Sequence, residues 1–176
     1  MENQSAKPKK TILNYGVILG VVSVVMGVIA YVLNMHLEPH WGFMVVGILI
    51  FAGFLIYGIK NFKNENGGFL SIGEALKVGL GIALIAALIG AAWTFALTTI
   101  IEPDYMEQMA EVQRDQMLEN FPDMTDEQMD NAMEMNAKFT SPWITMAFGI
   151  VGNLFIGFII ALIAGAVMKQ RRPYEV

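Results

Sequence analysis

ALKVGLGIALIAALIGAAWTFALTTII, residues 75–101, decides the fold. Beyond Lys77 it carries no charged side chain for 24 residues, and a helix needs only about 18–20 apolar residues to cross a hydrocarbon core of about 30 Å. Lipid cannot satisfy a backbone amide, so a spanning segment must close its own hydrogen bonds as a helix. Working outward, the same pattern recurs at residues 12–35, 41–59 and 142–168, and none of these runs has a charge in its middle third. Apolar residues make up 55% of the chain and charged ones 15%, and the mean hydropathy is +0.51. The charges are segregated into the termini, two loops and one long segment, whereas a soluble core alternates polar and apolar positions more evenly. The expected fold is all-α: a polytopic membrane protein with four transmembrane helices, a single membrane domain over residues 1–176, and two amphipathic helices inserted between the third and fourth spans.

The first run follows Lys7, Lys9 and Lys10, as a signal peptide would, but its 24 residues, broken only by Asn14, Ser23 and Asn34, exceed the usual stretch of about 7–15 and no small-x-small cleavage pattern follows. It reads as a retained anchor. Orientation follows from the basic residues. Lys7, Lys9, Lys10, Lys60, Lys63, Lys77, Lys169, Arg171 and Arg172 share one side of an up-and-down weave, and only Arg114 and Lys138 fall on the other. Both termini are therefore expected in the cytoplasm. Trp41, Trp93 and Trp143 lie toward the opposite ends of their helices, at headgroup level.

Two helix entrances are legible. Ser71 and Glu74 have capping-box spacing, in which each side chain satisfies the other's backbone amide. Gly67 and Gly68 supply the turn before them, and Glu74 and Lys77 are expected to form an interfacial charge pair. Ser141 is the expected N-cap of the fourth span, with Pro142 in the first helical position. Small residues recur every four positions, at Gly79, Ala83, Ala87 and Ala91 and again at Gly157, Ala161 and Gly165, with a shorter pair at Gly16 and Gly20. Such rows let helix backbones approach within a bundle or between copies of a chain. Asn153, near the middle of the fourth span, is expected to bond across helices.

Residues 102–140 hold eleven acidic side chains against two basic ones, and seven of the chain's thirteen methionines. Met106, Ala110, Met117 and Phe121 can line one helical face until Pro122 breaks it. Thr125 and Gln128 then form a second capping box, with Met124 and Met129 placed as a hydrophobic staple. Met129, Ala132 and Met133 continue a second stripe, and the two helices are expected to fold over the outer mouth of the bundle. Thioethers beside carboxylates suit Cu(I), but methionine more often fills gaps between helices, and spacings such as Met106-x-x-Met109 are nonspecific. No calcium-loop pattern is present. His36 and His40 flank Pro39 in the first outer loop, where the proline disrupts the register that zinc ligation on a helix needs, so an ordinary turn is expected.

No phosphate loop, zinc-protease motif, nucleophile elbow or dinucleotide fingerprint occurs. No ionisable residue lies deep in a span, as ion-coupled carriers usually require. Cysteine is absent, which removes disulfides and thiolate sites, and there is no basic patch for nucleic acid. No catalytic residue, cofactor or metal ligand is assigned.

The run Gly67-Gly68-Phe69-Leu70-Ser71-Ile72-Gly73-Glu74-Ala75-Leu76-Lys77-Val78-Gly79 resembles a signature of domain of unknown function 4199, a family of small bacterial membrane proteins. Ile101-Glu102-Pro103-Asp104-Tyr105 is similar to its second hallmark, and residues 161–169 to its closing run. The likeness covers nearly the whole chain in layout. It implies a source in the Bacteroidota, an inner membrane, a periplasmic acidic segment and an envelope-related accessory role, with no catalytic residues to carry over. The expected function is that of a non-enzymatic accessory or scaffold subunit of an envelope complex. It would meet the lipid bilayer and a membrane protein partner, or further copies of itself, through its spans and the acidic insertion. The alternative is a small oligomeric transporter or channel for a cation such as copper.

Overall fold

A computed structural model describes residues 7–38, 40–139 and 141–171. Pro39, in the loop after the first span, and Arg172, near the basic end, lie outside the described residues. Among the described residues six α-helices follow one another: α1 (Pro8–Val32), α2 (Trp41–Glu65), α3 (Ile72–Ala96), α4 (Tyr105–Asn120), α5 (Asp126–Phe139) and α6 (Pro142–Met168). A π-helical turn, Leu97–Ile101, extends α3. The described residues contain no strand, only a bridge in which Leu70 and Gln170 exchange backbone hydrogen bonds of 3.0 and 2.9 Å.

α1, α2, α6 and α3 with its π turn are each long and apolar enough to cross a membrane. Their limits differ from the apolar runs because a helix does not stop where apolarity does. α1 begins at Pro8, whose missing N–H costs nothing in the first turn, and takes in Lys9 and Lys10. It ends at Val32, so residues 33–35 form a turn. α2 continues to Glu65, carrying Lys60 and Lys63 beyond the apolar block, where long cationic stems can reach the headgroups. Much of the surface of these helices is apolar and uncovered: Val32 is 69% exposed, Leu49 66%, Phe155 64% and Val167 80%. A water-soluble monomer rarely shows so continuous an apolar belt, and the arrangement is that of a multi-pass membrane protein.

α3 lies at the centre, between α1 and α6, with α2 alongside. It runs parallel to α1, and the two interlock through glycines. A methyl group placed on Gly16 would lie 2.7 Å from Ile85 Cβ, and one on Gly81 would lie 2.7 Å from Ile12 Cδ1. Gly20 receives Ile89 and Gly27 receives the Trp93 indole in the same way. α6 runs antiparallel to α3, and small residues meet in steps of four: Ala75 against Gly165, Gly79 against Ala161, Ala83 against Gly157. Leu55, Ile59 and Phe62 of α2 fill the remaining side of this core, all of them essentially inaccessible.

The entrance to α3 is built as a small knot. Gly67 and Gly68 adopt φ of +71° and +85°, a conformation that side chains resist. Asn66, 3% exposed, donates to the Phe69 carbonyl at 3.0 Å and to Glu74 Oε1 at 3.3 Å. Ser71 Oγ accepts from the Glu74 amide at 3.2 Å, and Glu74 Oε2 accepts from the Ser71 amide at 2.8 Å. The carboxylate is thus turned back onto its own helix start, and among the described residues it makes no ion pair with Lys77, contrary to the expected interfacial pair.

Candidate functional site

The end of the bundle that carries α4 and α5 gathers polar groups far apart in the chain. α1 stops there in a Schellman turn: Met35 N–H donates to the Ala30 carbonyl at 2.8 Å, and Asn34 N–H to Tyr31 at 3.0 Å. Asn34 takes φ +53°, which asparagine tolerates better than most residues. This reversal directs His36 inward. On the other side, α3 loosens into the π turn, where the Thr98 hydroxyl donates to the Thr94 carbonyl at 2.9 Å and Thr99 to that of Phe95. Such back-bonding competes with the helical ladder. Glu102 N–H then bonds five residues back, to Leu97 at 2.8 Å.

Glu102 and His36 meet. Glu102 Oε2 lies 3.0 Å from His36 Nε2, and the two side chains are only 17% and 8% exposed. The contact lacks the alignment of a hydrogen bond, and His36 Nδ1 has no partner among the described residues. It therefore acts as an ion pair when the imidazole is protonated. Tyr105, in the first turn of α4, stacks on the imidazole at 6.0 Å between ring centres, and Tyr31 tilts against it at 5.1 Å. The Tyr105 hydroxyl reaches the His36 carbonyl at 3.5 Å. Burial, and then the neighbouring Glu102, push the Tyr105 phenol above its ordinary value. This junction ties the α1–α2 loop to the root of α4. In the sequence the His36 loop reads as a plain turn and Glu102 has no evident partner, because nothing local links residues 66 positions apart. The signals that were present are Asn34 at a helix end and the threonine pair before Glu102.

His40 is used separately: its Nδ1 accepts from Gly42 N–H at 3.2 Å and caps α2. No cluster of three or more His, Cys, Asp or Glu suited to a metal occurs among the described residues.

Among the described residues α4 packs mainly on α5 and on the π turn. Thr125 and Gln128 bond reciprocally, Gln128 N–H to Thr125 Oγ1 at 3.3 Å and Thr125 N–H to Gln128 Oε1 at 3.1 Å. Asn136 and Gln113 join the two helices. Met129 is buried, while ten of the eleven carboxylates are exposed, all but Glu102. A cavity of about 550 Å3 lies between the helices, beside the start of α6, with Met106, Glu107, Met133 and Glu134 in its wall. Glu134 is taken by Lys138 at 3.2 Å.

The remaining candidates lie apart from this end or along its edge. Gly79, Ala83, Ala87, Gly157, Ala161 and Gly165 are buried, and Ala91 is half-buried. Ser71 and Glu74 cap α3 at the opposite end of the bundle. Ser141 Oγ accepts from Ile144 N–H at 3.4 Å and caps α6. Among the described residues Asn153 makes no bond across helices: its amide donates to the Gly149 carbonyl of its own helix at 2.9 Å, and the side chain is exposed.

Neither a curated protein nor a solved structure matches the chain. Over residues 14–170 it matches the family described as protein of unknown function (DUF4199), and it belongs to that family.

Proposed function

We propose that the protein is a non-enzymatic accessory or scaffold subunit of a bacterial envelope complex, with both termini cytoplasmic and α4–α5 in the periplasm as its docking element. The observation that carries this reading is the acidic hairpin, rooted in the bundle through His36, Glu102 and Tyr105 and presenting ten exposed carboxylates. α4 and α5 serve as amphipathic helices, with half-buried Met106, Met109 and Val112 beneath α4 and buried Met129 beneath α5. A surface of one charge sign steers a partner of the opposite sign and fixes its orientation more than it adds raw affinity. Orientation rests on the basic residues collected at the opposite end of the bundle. The small-residue faces are spent inside the chain, so a membrane partner meets the bulky faces of α2 and α6 instead.

Purification from native membranes in a mild detergent tests the reading. A stoichiometric second protein is expected. It should dissociate as salt is raised, and it should be lost when Glu107, Glu111 and Asp115, exposed on one face of α4, are changed together to lysine. Recovery of the chain only as a homo-oligomer with bound metal would favour a cation transporter, and recovery of the chain alone would overturn both.

A further inference from the structure

The seam between α3 and α6 closes from one end only. Its register runs through Ala75 with Gly165, Gly79 with Ala161 and Ala83 with Gly157. The next steps of four would pair Ala87 with Asn153 and Ala91 with Gly149, and there the helices stand apart. A methyl group built on Gly90, Gly149 or Gly152 meets nothing within 4 Å. The gap is a cleft of about 320 Å3. It reaches from Thr145, in the first turn of α6, to Asn153, the twelfth of that helix's 27 residues. Eight residues at about 1.5 Å each make it roughly 12 Å deep. It ends near the middle of the span.

The wall of this cleft is mainly apolar, but four polar side chains interrupt it where lipid would be the alternative solvent. Ser23, Thr94, Thr145 and Asn153 line it, from three different helices, and no charged residue does. Ser23 Oγ donates to the Leu19 carbonyl at 2.9 Å, Thr94 Oγ1 to Gly90 at 3.2 Å, and Asn153 Nδ2 to Gly149 at 2.9 Å. Ser23, Thr94 and Asn153 have each spent one hydrogen on their own helix. The hydroxyl lone pairs, the Asn153 carbonyl oxygen and its second amide hydrogen have no protein partner among the described residues. Acyl chains filling the cleft would leave these remaining acceptors and the amide hydrogen unsatisfied. Water satisfies them, and the volume suits roughly ten molecules at about 30 Å3 each.

We propose that this cleft is a hydrated pocket, open at the α4–α5 end and sealed by the Ala83–Gly157 contact, that takes a small uncharged solute bearing hydroxyl or amide groups. With no charged residue in the lining, nothing in the cleft favours an ion over an uncharged solute. The inference stands apart from the docking role of the hairpin, which needs no pocket.

The absence of cysteine from the chain makes the test direct. Single cysteines replace Thr145, Gly149 and Asn153 in the cleft and Val151 and Phe155 on the lipid-facing side of the same helix. Membrane fragments open on both faces are treated with 2-hydroxyethyl methanethiosulfonate, a small neutral hydroxylated reagent. A thiol must ionise to react, which requires water beside it. Modification at the three cleft positions at least tenfold faster than at Val151 and Phe155 is the expected result. Thr145→Cys changes little volume, and Gly149→Cys enters open space, so the comparison survives a failure of Asn153→Cys to fold. Equal rates at the two sets would overturn the proposal. So would cleft positions that react quickly only after detergent extraction, which would mean that another helix covers them.

Discussion

A methyl group added at Gly79 would lie 2.5 Å from the Cβ of Ala161, more than 1 Å inside the usual contact of about 3.5–4.0 Å between carbon atoms. The helices must separate to admit it, and overpacking of this kind costs about 1–3 kcal/mol. Gly79→Ala is therefore expected to lower thermal stability in detergent by that amount, and Ala161→Gly added to it should restore most of the loss by removing the facing methyl. Additive effects of the two changes would mean that the seam is looser than described. Tyr105 gives a second residue-level expectation. Its phenol is raised in the folded state by burial and by Glu102, so above pH 10 the unfolded chain loses this proton first. The folded state then binds more protons, and stability falls as pH rises from about 10 through the higher folded value. Tyr105→Phe should flatten that decline in melting temperature between pH 9 and 11 relative to the parent chain. An unchanged slope would remove Tyr105 from the account.

The π turn Leu97–Ile101 acts at the level of the element. One residue beyond the α-helical repeat rotates everything after it by about 100°, which is what brings Glu102 round to His36. Deleting Thr99 should convert the turn to regular helix, withdraw Glu102 from His36 and leave a nearly buried imidazole facing no carboxylate. The expected loss is close to that of Glu102→Gln, and the two changes together should cost little more than either alone. Fully additive losses would show that the turn does not serve this contact. The same element explains what could and could not be read from the sequence. The four long helices were legible because lipid demands length and apolarity, which are visible in a linear string. The seam was half legible: the rows at Gly79, Ala83, Gly157 and Ala161 can be seen, but not which row meets which. The junction of His36 and Glu102 was not legible, because Asn34 and the threonine pair mark only where two helices end, and nothing in the string joins residues 66 positions apart. Asn153 misled for a related reason. Its exposed amide finds the carbonyl of Gly149 on its own helix, and whether a neighbouring helix is close enough depends on where the seam opens.

Taken as a whole, the molecule divides its work by distance along the bundle axis. At one end, the Leu70–Gln170 bridge and the knot around Asn66 and Glu74 fasten α3 to the end of α6. In the middle, glycine and alanine bring three helices to backbone contact. At the other end the seam parts, the His36–Glu102 junction anchors the hairpin, and the carboxylates stand outward. Basic residues gather at the first end and acidic ones at the last, and the account depends on these lying on opposite sides of a membrane. Single cysteines at Asn120, at the exposed end of α4, and at Asn64, exposed in the last turn of α2, measure this with an impermeant maleimide on intact cells. Asn120→Cys is expected to label at once and Asn64→Cys only after the membrane is opened. The reverse pattern, or labelling of both in intact cells, would contradict the account.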